Sequence, residues 1–212
     1  MKKMQKPIYK YPLEDYEGTL VKPELTDILE YYDINDKTFS DNHDIRIVFD
    51  SCKFNKVTMN QNEFQRAEFL DCIFVNCDLS NNSFVRSTFI RCQFINCRFT
   101  GSHFVESFLK FITFKDCIGN FLDVADSKLE IVEFINMNLL ESSFFTNAFK
   151  QVTFKDVKLE KATFYETPLK DVDLRTCDIY SLRVDAKSIK GSTISSFQAP
   201  QVCHLLGIKV ED

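Results

Sequence analysis

Apolar side chains recur at every fifth position over most of this 212-residue chain. From Phe49 to Ile194, 29 of 30 such positions hold an apolar residue, and the exception is Gly119. Apolar residues of a helix recur about every 3.6 residues and those of a half-buried strand about every 2, so neither element explains this period. Short repeats that persist through a chain are typical of solenoids, in which each repeat packs only on its neighbours. We therefore expect an elongated repeat array.

A second phase lies two residues before each of these centres and nearly always holds a small or apolar side chain. Seven of the eight cysteines occupy it, and Cys203 is the exception. The seven are Cys52, Cys72, Cys77, Cys92, Cys97, Cys117 and Cys177. The remaining positions of each five are mostly polar or charged, so the centre and the small residue are expected to face a core while the others face water. The cysteines are therefore expected to be packing residues.

This pattern resembles the pentapeptide-repeat family, whose unit is a small residue, a polar residue, a central Leu or Phe and two outward residues. The resemblance implies an all-β fold, a right-handed quadrilateral β-helix in which each pentapeptide forms one side and four pentapeptides form one coil. Parallel coils stack at the strand spacing of ~4.8 Å, so residues 20 apart should lie above one another.

That stacking predicts inner columns of like side chains. Buried amides in such a column must satisfy one another's hydrogen bonds. Gly119 would leave one centre empty, and we expect the coil to change its packing or bend there. The expected columns are Cys52, Cys72 and Cys92; Cys77, Cys97 and Cys117; Asn62 and Asn82; and Phe54, Phe74, Phe94, Phe114, Phe134 and Phe154.

The chain is expected to divide into three parts, because a repeat array needs covers for its exposed ends. Residues 1–33 are interpreted as an N-terminal cap segment with a short helix, since the apolar residues of 22–32 have helical spacing and Pro23 suits a first turn. Residues 34–194 form the pentapeptide-repeat β-helix. Residues 195–212 form a C-terminal dimerisation helix and tail, with Ser196 as its N-cap and Gly207 at its end.

Charge and composition exclude several classes of protein. The formal net charge of −5 argues against direct nucleic-acid binding, which needs a basic face. No run of 18 apolar residues exists, so no membrane span is expected. The amino terminus has charges but no apolar segment behind them, which argues against a secretory signal. Eight cysteines without such a signal favour a reducing, cytoplasmic location.

Residues with catalytic or metal-binding spacing are missing from the sequence. The cysteines follow the repeat as CxxxxC rather than the CxxC of zinc sites, and His43, His103 and His204 are scattered. Nucleotide-binding, metalloprotease and serine-hydrolase motifs are not found. We therefore predict no catalytic residue, no cofactor and no metal, and we do not expect an enzyme.

The C-terminal residues carry a more specific resemblance. The stretch 191–199, Gly-Ser-Thr-Ile-Ser-Ser-Phe-Gln-Ala, followed by Leu-Gly-Ile at 206–208, is similar to the ending of the Qnr-type quinolone-resistance proteins. The resemblance implies a bacterial, DNA-mimicking homodimer that binds DNA gyrase or topoisomerase IV and protects it from fluoroquinolones. The dimer contact would then be carried by Phe197, Val202, Leu205, Leu206 and Ile208.

Acidic residues supply the candidate partner-binding face. Glu106, Asp126 and Glu166 share one outward column with Asp123 beside it, and Glu141 and Glu160 lie on the neighbouring face. Residues 47–192 hold 19 acids and 18 bases, so only a local acidic stripe could imitate DNA. The phase is unbroken from 49 to 194, which excludes the loop insertions of many Qnr-type proteins unless their length is a multiple of five.

Two alternatives stay open. A charge column is also typical of an ordinary solvated wall. Clustered outward apolar residues could instead mark the partner surface. The function is open as well, since the protein could be a general pentapeptide-repeat interaction or scaffold module with an unrelated cytoplasmic partner. This apolar cluster consists of Leu70, Ile73, Val75, Ile90 and Ile95.

Overall fold

The computed structural model describes residues 2–18, 28–205 and 207–211, and it forms a β-solenoid of about eight turns. Every strand pair is parallel, and the array strands pair at an offset of 20 residues, as Phe54 pairs with Phe74 and Phe74 with Phe94. Four five-residue sides therefore complete each coil. The β-helix expected from the repeat is confirmed.

We number the faces 1 to 4 in the order in which the chain forms them, starting from the face centred on Phe49, and name each corner by the faces it joins. Faces 1 and 2 form one sheet of 12 strands that also includes Glu14–Asp15, face 4 forms a sheet of seven, and isolated bridges join the coils of face 3. The strands of face 1 are Ile28–Glu30, Val48–Asp50, Glu68–Leu70 and Thr88–Ile90, and those of face 2 are Tyr32–Asn35, Lys53–Asn55, Ile73–Val75 and Gln93–Ile95. The strands Phe108–Lys115, Lys128–Ile135 and Ala148–Lys155 each cover faces 1 and 2. The strands of face 4 are Glu63–Gln65, Ser83–Val85, His103–Val105, Asp123–Ala125, Ser143–Phe145, Thr163–Tyr165 and Arg183–Val184.

The aromatic column of face 2 is present as expected. Six phenylalanine rings from Phe54 to Phe154 stack with centroids 4.3 to 5.1 Å apart and interplanar angles of 1° to 19°. Each ring is at most 3% exposed. Because such aromatic pairs contribute roughly 0.5–1.5 kcal/mol beyond their buried area, this column is a main support of the core.

The cysteine and asparagine columns are also confirmed. The Cys97 backbone N–H donates to the Cys117 thiol at 3.4 Å, and all eight cysteines are free. The Asn62 backbone N–H donates to the side-chain oxygen of Asn82 at 2.9 Å, and the Asn82 amide donates to the Met59 carbonyl at 2.6 Å. Each amide of the pair thus satisfies its buried neighbours.

Most corners are turned by the residue two positions after a centre, which takes a left-handed conformation, although Thr176 and Ala186 in the last coils do not. Asn76 and Asp116 illustrate it with φ of 55° and 56°. Short polar side chains tolerate this region, whereas bulky or β-branched residues there are outliers. This use of non-glycine residues explains how a chain with five Gly and five Pro turns so many corners. The outliers are Tyr31, Phe111, Phe121, Ile131 and Thr146.

Gly119 does not leave the expected gap. A β-carbon at Gly119 would lie 2.6 Å from Cε of Met137 and 3.0 Å from Cδ2 of Leu139, so side chains of the next coil already fill the space. Ile118 bridges to Arg98 on one side and to Asn138 on the other, and pairing continues across the site. The packing therefore changes only locally, because Met137 and Leu139 fill the space that a side chain at 119 would occupy, and the register of the coils is unbroken.

The predicted N-terminal helix is wrong where the structure describes it. Residues 28–30 and 32–35 are strands that pair with Val48–Asp50 and Lys53–Asn55. The array therefore begins upstream of the expected boundary, with Leu29 and Ile34 in the same five-residue phase. Between Ile34 and Phe49 the register shifts locally by one residue, because Ile45 rather than residue 44 bridges Phe64. The five-residue phase resumes at Phe49, which pairs with Phe69. The rest of the predicted helix, including Pro23 and Leu25, lies outside the described residues.

Residues 2–16 lie on the outside of the array, and we call them the N-terminal strap. The strap runs lengthwise along corner 1–2. Its end at Lys2 exchanges hydrogen bonds with the Gln151 side chain, and its Ile8 N–H donates to Asp71. Glu14–Asp15 then pairs with Tyr32–Asn35.

The C-terminal helix extends over Ala199–Leu205. Its end at Gly207 is confirmed: Gly207 has φ of 74°, and the Ile208 N–H donates to the Cys203 carbonyl at 2.9 Å, which is a Schellman arrangement. The predicted N-cap at Ser196 is wrong, because the helix starts later. The buried Gln198 side chain instead donates to the carbonyls of Leu174 and Cys177 at 2.8 Å each and ties the helix to the last coils.

Candidate partner-binding surfaces

Corner 4–1 carries the acidic column expected from the sequence. Glu106, Asp126 and Glu166 follow face 4 centres by two residues and are exposed, and Thr146 interrupts them. The same corner holds arginines in the N-terminal coils, at 66 and 86. Corner 4–1 is therefore basic in the N-terminal coils and acidic in the later coils.

Ion pairs reduce part of this acidic charge. Nε of Arg86 lies 2.7 Å from Oε2 of Glu106, and this hydrogen-bonded contact lowers the pKa of the Glu106 carboxyl. Exposed pairs of this kind contribute only about 0–1 kcal/mol to folding. Asp126 and Glu166 have no ion-pair partner among the described residues. They are the most available charges of the column.

The other predicted acids occupy different positions. Asp123 lies on face 4, where it accepts a short hydrogen bond from the Ser143 hydroxyl and lies 3.6 Å from Nδ1 of His103. Glu141 lies at corner 3–4, 3.5 Å from the Lys161 ammonium group. Glu160 lies on face 3. Only Asp123 therefore shares a face with the column at corner 4–1.

An aromatic pair beside the acidic column was missed by the sequence reasoning. Phe145 and Tyr165 project from face 4 with 41% and 49% exposure, and their ring centroids are 5.9 Å apart. Both follow a face 4 centre by one residue, which is the signal that could have identified them. Rings next to carboxylates suit Arg or Lys side chains, which are attracted by both. We call Glu106, Asp126, Glu166, Phe145 and Tyr165 the face 4 strip.

The apolar cluster predicted on the N-terminal coils is present on faces 1 and 2. Its five residues project from consecutive coils of neighbouring strands, and each is half-buried. Leu70 pairs in register with Ile90, and Val75 with Ile95. Asp71, Arg91 and the strap lie at corner 1–2 between the two sides, so the cluster is divided into one part on face 1 and one part on face 2.

The predicted dimer residues divide into two sets. Phe197, Leu205 and Ile208 are exposed by 91%, 37% and 52%. Val202 instead packs partly buried against the core of its own chain. Leu206 lies outside the described residues. An apolar surface remains at this end of the rod, but Val202 contributes to the fold rather than to that surface.

In the part of the chain that the structure describes, no group of three His, Cys, Asp or Glu residues has the arrangement of a metal site. Within the same described ranges, no helix has the length and hydropathy to cross a membrane.

Comparison with known proteins gives one family match. The model of the pentapeptide repeat region matches residues 47–117 and 87–164. A structure of a trypsin-treated QnrB1 variant, a plasmid-mediated fluoroquinolone resistance protein, is 18% identical with a TM-score of 0.46 and covers 82% of this chain and 97% of that chain. HetL, a pentapeptide repeat protein involved in heterocyst differentiation regulation from the cyanobacterium Nostoc, is 10% identical with a TM-score of 0.35, over 90% and 92%. The curated proteins contain no match to the sequence.

Proposed function

Because the chain belongs to the pentapeptide-repeat family, we propose that it acts without catalysis, by presenting the walls of its β-helix to a protein partner. We propose that this partner is a type II topoisomerase, DNA gyrase or topoisomerase IV, which the protein shields from fluoroquinolones. The C-terminal resemblance to Qnr-type proteins supports this choice of target. The protein would work where the topoisomerase works, in the cytoplasm.

The observation that carries the proposal is the acidic column at corner 4–1. Coils are ~4.8 Å apart, so Glu106 and Asp126 lie one coil apart and Glu166 two coils further along a straight edge. Duplex DNA carries one phosphate per ~1.7 Å of axis, so this edge reproduces only a short part of that charge. The face 4 strip would therefore occupy a few positive side chains of a DNA-binding surface, with Phe145 and Tyr165 supplying contact area.

The test reverses the charge of the acidic column at corner 4–1 and of Asp123 beside it. We expect the variant with Glu106, Asp123, Asp126 and Glu166 changed to Lys to lose protection of gyrase supercoiling against ciprofloxacin. Its melting temperature should stay within a few degrees of the parent's, because Glu106, Asp126 and Glu166 are exposed and contribute little to folding, and Asp123 gives up one hydrogen bond from Ser143. Binding of the parent should also weaken as salt rises, as expected for electrostatic complementarity.

A matched variant controls for the change in net charge. It carries four Lys substitutions at exposed acids away from corner 4–1 and should protect like the parent. If the variant with the four reversed charges protects as well as this control, the acidic column is only a solvated wall. The control positions are Asp116, Asp156, Asp171 and Asp178.

We further propose that the protein is a homodimer joined through residues 195–212, which would double the length of the rod. The exposed Phe197, Leu205 and Ile208 support this, because a monomer leaves them in water. Leu206 belongs to the same proposed contact, and Val202 would support it from beneath. Residues 28–194 would act as the rod, because the strands Ile28–Glu30 and Tyr32–Asn35 already belong to the array.

A second candidate function is a general interaction or scaffold module. The apolar cluster, with Leu70 and Ile90 on one side of the strap and Val75 and Ile95 on the other, favours it, because these residues could contact a partner without any acidic stripe. The two candidates separate in one measurement. Saturable binding of purified gyrase supports topoisomerase protection, and its absence favours the scaffold function.

A further inference from the structure

Two large apolar side chains are buried on the outer side of the array. Phe111 and Ile131 occupy corner 1–2 and are only 6% and 7% exposed. Phe121, the equivalent residue of corner 3–4, is 52% exposed. The strap accounts for the burial of Ile131, because Met4 of the strap and Ile131 line the same groove. Phe111 lies at the same corner between the strap's bonds to Asp71 and Gln151, so the strap runs over both apolar residues.

The strap crosses this edge as an extended chain. Its hydrogen bonds at Lys2 and Ile8 reach Gln151 and Asp71, which are four coils apart or ~19 Å along the axis. Six residues of extended chain span about 20 Å, which matches that distance. The strap between these two bonds therefore lies straight along the corner.

The corner binds the backbone of the strap more than its charges. The Gln151 amide accepts from the Lys2 N–H at 3.3 Å and donates to the Lys2 carbonyl at 3.4 Å. The Ile8 N–H donates at 2.9 Å to Asp71, whose carboxylate Arg91 holds with two further bonds of 2.6 and 2.5 Å. Such contacts accept any extended segment with a suitable apolar side.

The bound strap leaves one buried polar atom without a hydrogen bond. The hydroxyl oxygen of Tyr9 is buried and has no hydrogen-bond partner among the described residues. Burial raises the pKa of Tyr9 well above its ordinary value. A buried hydroxyl without a partner favours the open state of the strap, in which water can bind it. An otherwise equal segment with Phe in this place would bind more tightly.

The covered residues also hold a strained backbone. Phe111 and Ile131 have φ of 57° and 59°, a region unfavourable for bulky and β-branched residues. Ser51 and Asp71 occupy the same corner in earlier coils and are also buried, and the Ile8 N–H of the strap donates to Asp71. The corner therefore offers the strap a hydrogen-bonding part at Asp71 and an apolar part at Phe111 and Ile131.

We propose that corner 1–2 is a binding channel for an extended peptide, and that the strap is its intramolecular occupant, which a segment of a protein partner displaces. The partner segment would carry apolar or proline side chains two or three residues apart, as Met4, Pro7 and Tyr9 do. The groove continues past Lys2 over Phe149, Val152 and Pro168, so a longer segment would gain contacts that the strap does not make.

The first test measures whether the strap opens alone. In hydrogen exchange of the full chain, the Ile8 amide should exchange at least ~100-fold faster than the Gln93 amide, which donates to the Cys72 carbonyl inside the array. Equal protection of the two amides would mean that the strap opens only when the array unfolds. That result would overturn the proposal.

The second test uses a labelled peptide with the sequence of residues 2–16 and Phe in place of Tyr9. Two full-length variants shift the equilibrium between the bound and the open strap in opposite directions. Ile8→Pro removes the N–H bound by Asp71 and favours the open strap, whereas Tyr9→Phe removes the unsatisfied hydroxyl and favours the bound strap. Ile8 is mostly exposed, so its side chain contributes little to the fold. Circular dichroism would verify that both variants keep the β-helix.

We expect the Ile8→Pro variant to bind the peptide about tenfold more tightly than the Tyr9→Phe variant. A tenfold change equals ~1.4 kcal/mol, about the contribution of the one hydrogen bond that Ile8→Pro removes, and the loss of the Tyr9 hydroxyl in the other variant should widen the difference further. A scrambled peptide should bind neither. Equal affinities, or no saturable binding to the Ile8→Pro variant, would show that the corner is not an exchangeable channel.

Discussion

Replacing Phe94 by Ala should destabilise the protein by about 4–5 kcal/mol, the upper part of the ~3–5 kcal/mol range for buried Phe→Ala changes. The ring is 1% exposed and stacks between the rings of Phe74 and Phe114, whose centroids lie 4.8 and 5.0 Å away. The ring of Phe99 meets it nearly at a right angle, with the centroids 5.1 Å apart. The coils above and below are fixed by backbone pairing, so the cavity cannot collapse. Against a typical stability of about 5–15 kcal/mol, this loss is large.

Urea unfolding followed by far-UV circular dichroism measures the loss, with the slope of the transition checked for a change in cooperativity. Phe121→Ala is the matched control, because it removes the same ring from an exposed corner and should cost less than ~1 kcal/mol. A loss below ~1 kcal/mol for Phe94→Ala, or a loss equal to that of Phe121→Ala, would refute the stacked column as a main source of stability.

Two further predictions concern the C-terminal coils and the proposed dimer. Changing Phe197 and Leu205 to Asp should give a monomer in sedimentation at concentrations where the parent is a dimer, and a monomeric parent would contradict the proposal. Burial opposes ionisation of Asp185, but hydrogen bonds led by those from Ser188 outweigh it and lower its pKa to about 2. This stabilisation is complete above the unfolded pKa of ~3.9 and is lost as the pH falls towards 2. The melting temperature of Asp185→Asn should therefore fall less over this range than the parent's, and parallel curves would refute the assignment.

The five-residue phase allowed most of the fold to be predicted, because each coil repeats the same local contacts. Phe94, Cys97 and Asn82 could be placed in columns by counting in steps of 20. The same logic failed at 28–32, where Leu29 fits both a helical spacing and the five-residue phase. Residues 28–30 form a strand because they pair with Val48–Asp50 of the next coil. This pairing cannot be read from a short stretch of sequence considered alone.

The strap could not be predicted, because its position depends on contacts between residues far apart in sequence, such as Ile8 with Asp71. The sequence did contain an indirect signal: Phe111 and Ile131 are apolar at corner positions that other coils fill with polar residues. The candidate site was half predictable. Glu106 and Asp126 follow from the register, whereas the pairing of Glu106 with Arg86 depends on side-chain conformations.

The 20-residue register also fixes how the protein tolerates changes in length. Removing one whole coil would shorten the rod by ~4.8 Å and leave every later side chain on its own face. Removing a single pentapeptide would keep the core pattern but turn everything beyond it by a quarter of a revolution. A deletion between Glu106 and Asp126 would then move Asp126 and Glu166 to a different edge from Glu106. Lineages that keep a functional edge should therefore gain or lose sequence in units of four pentapeptides.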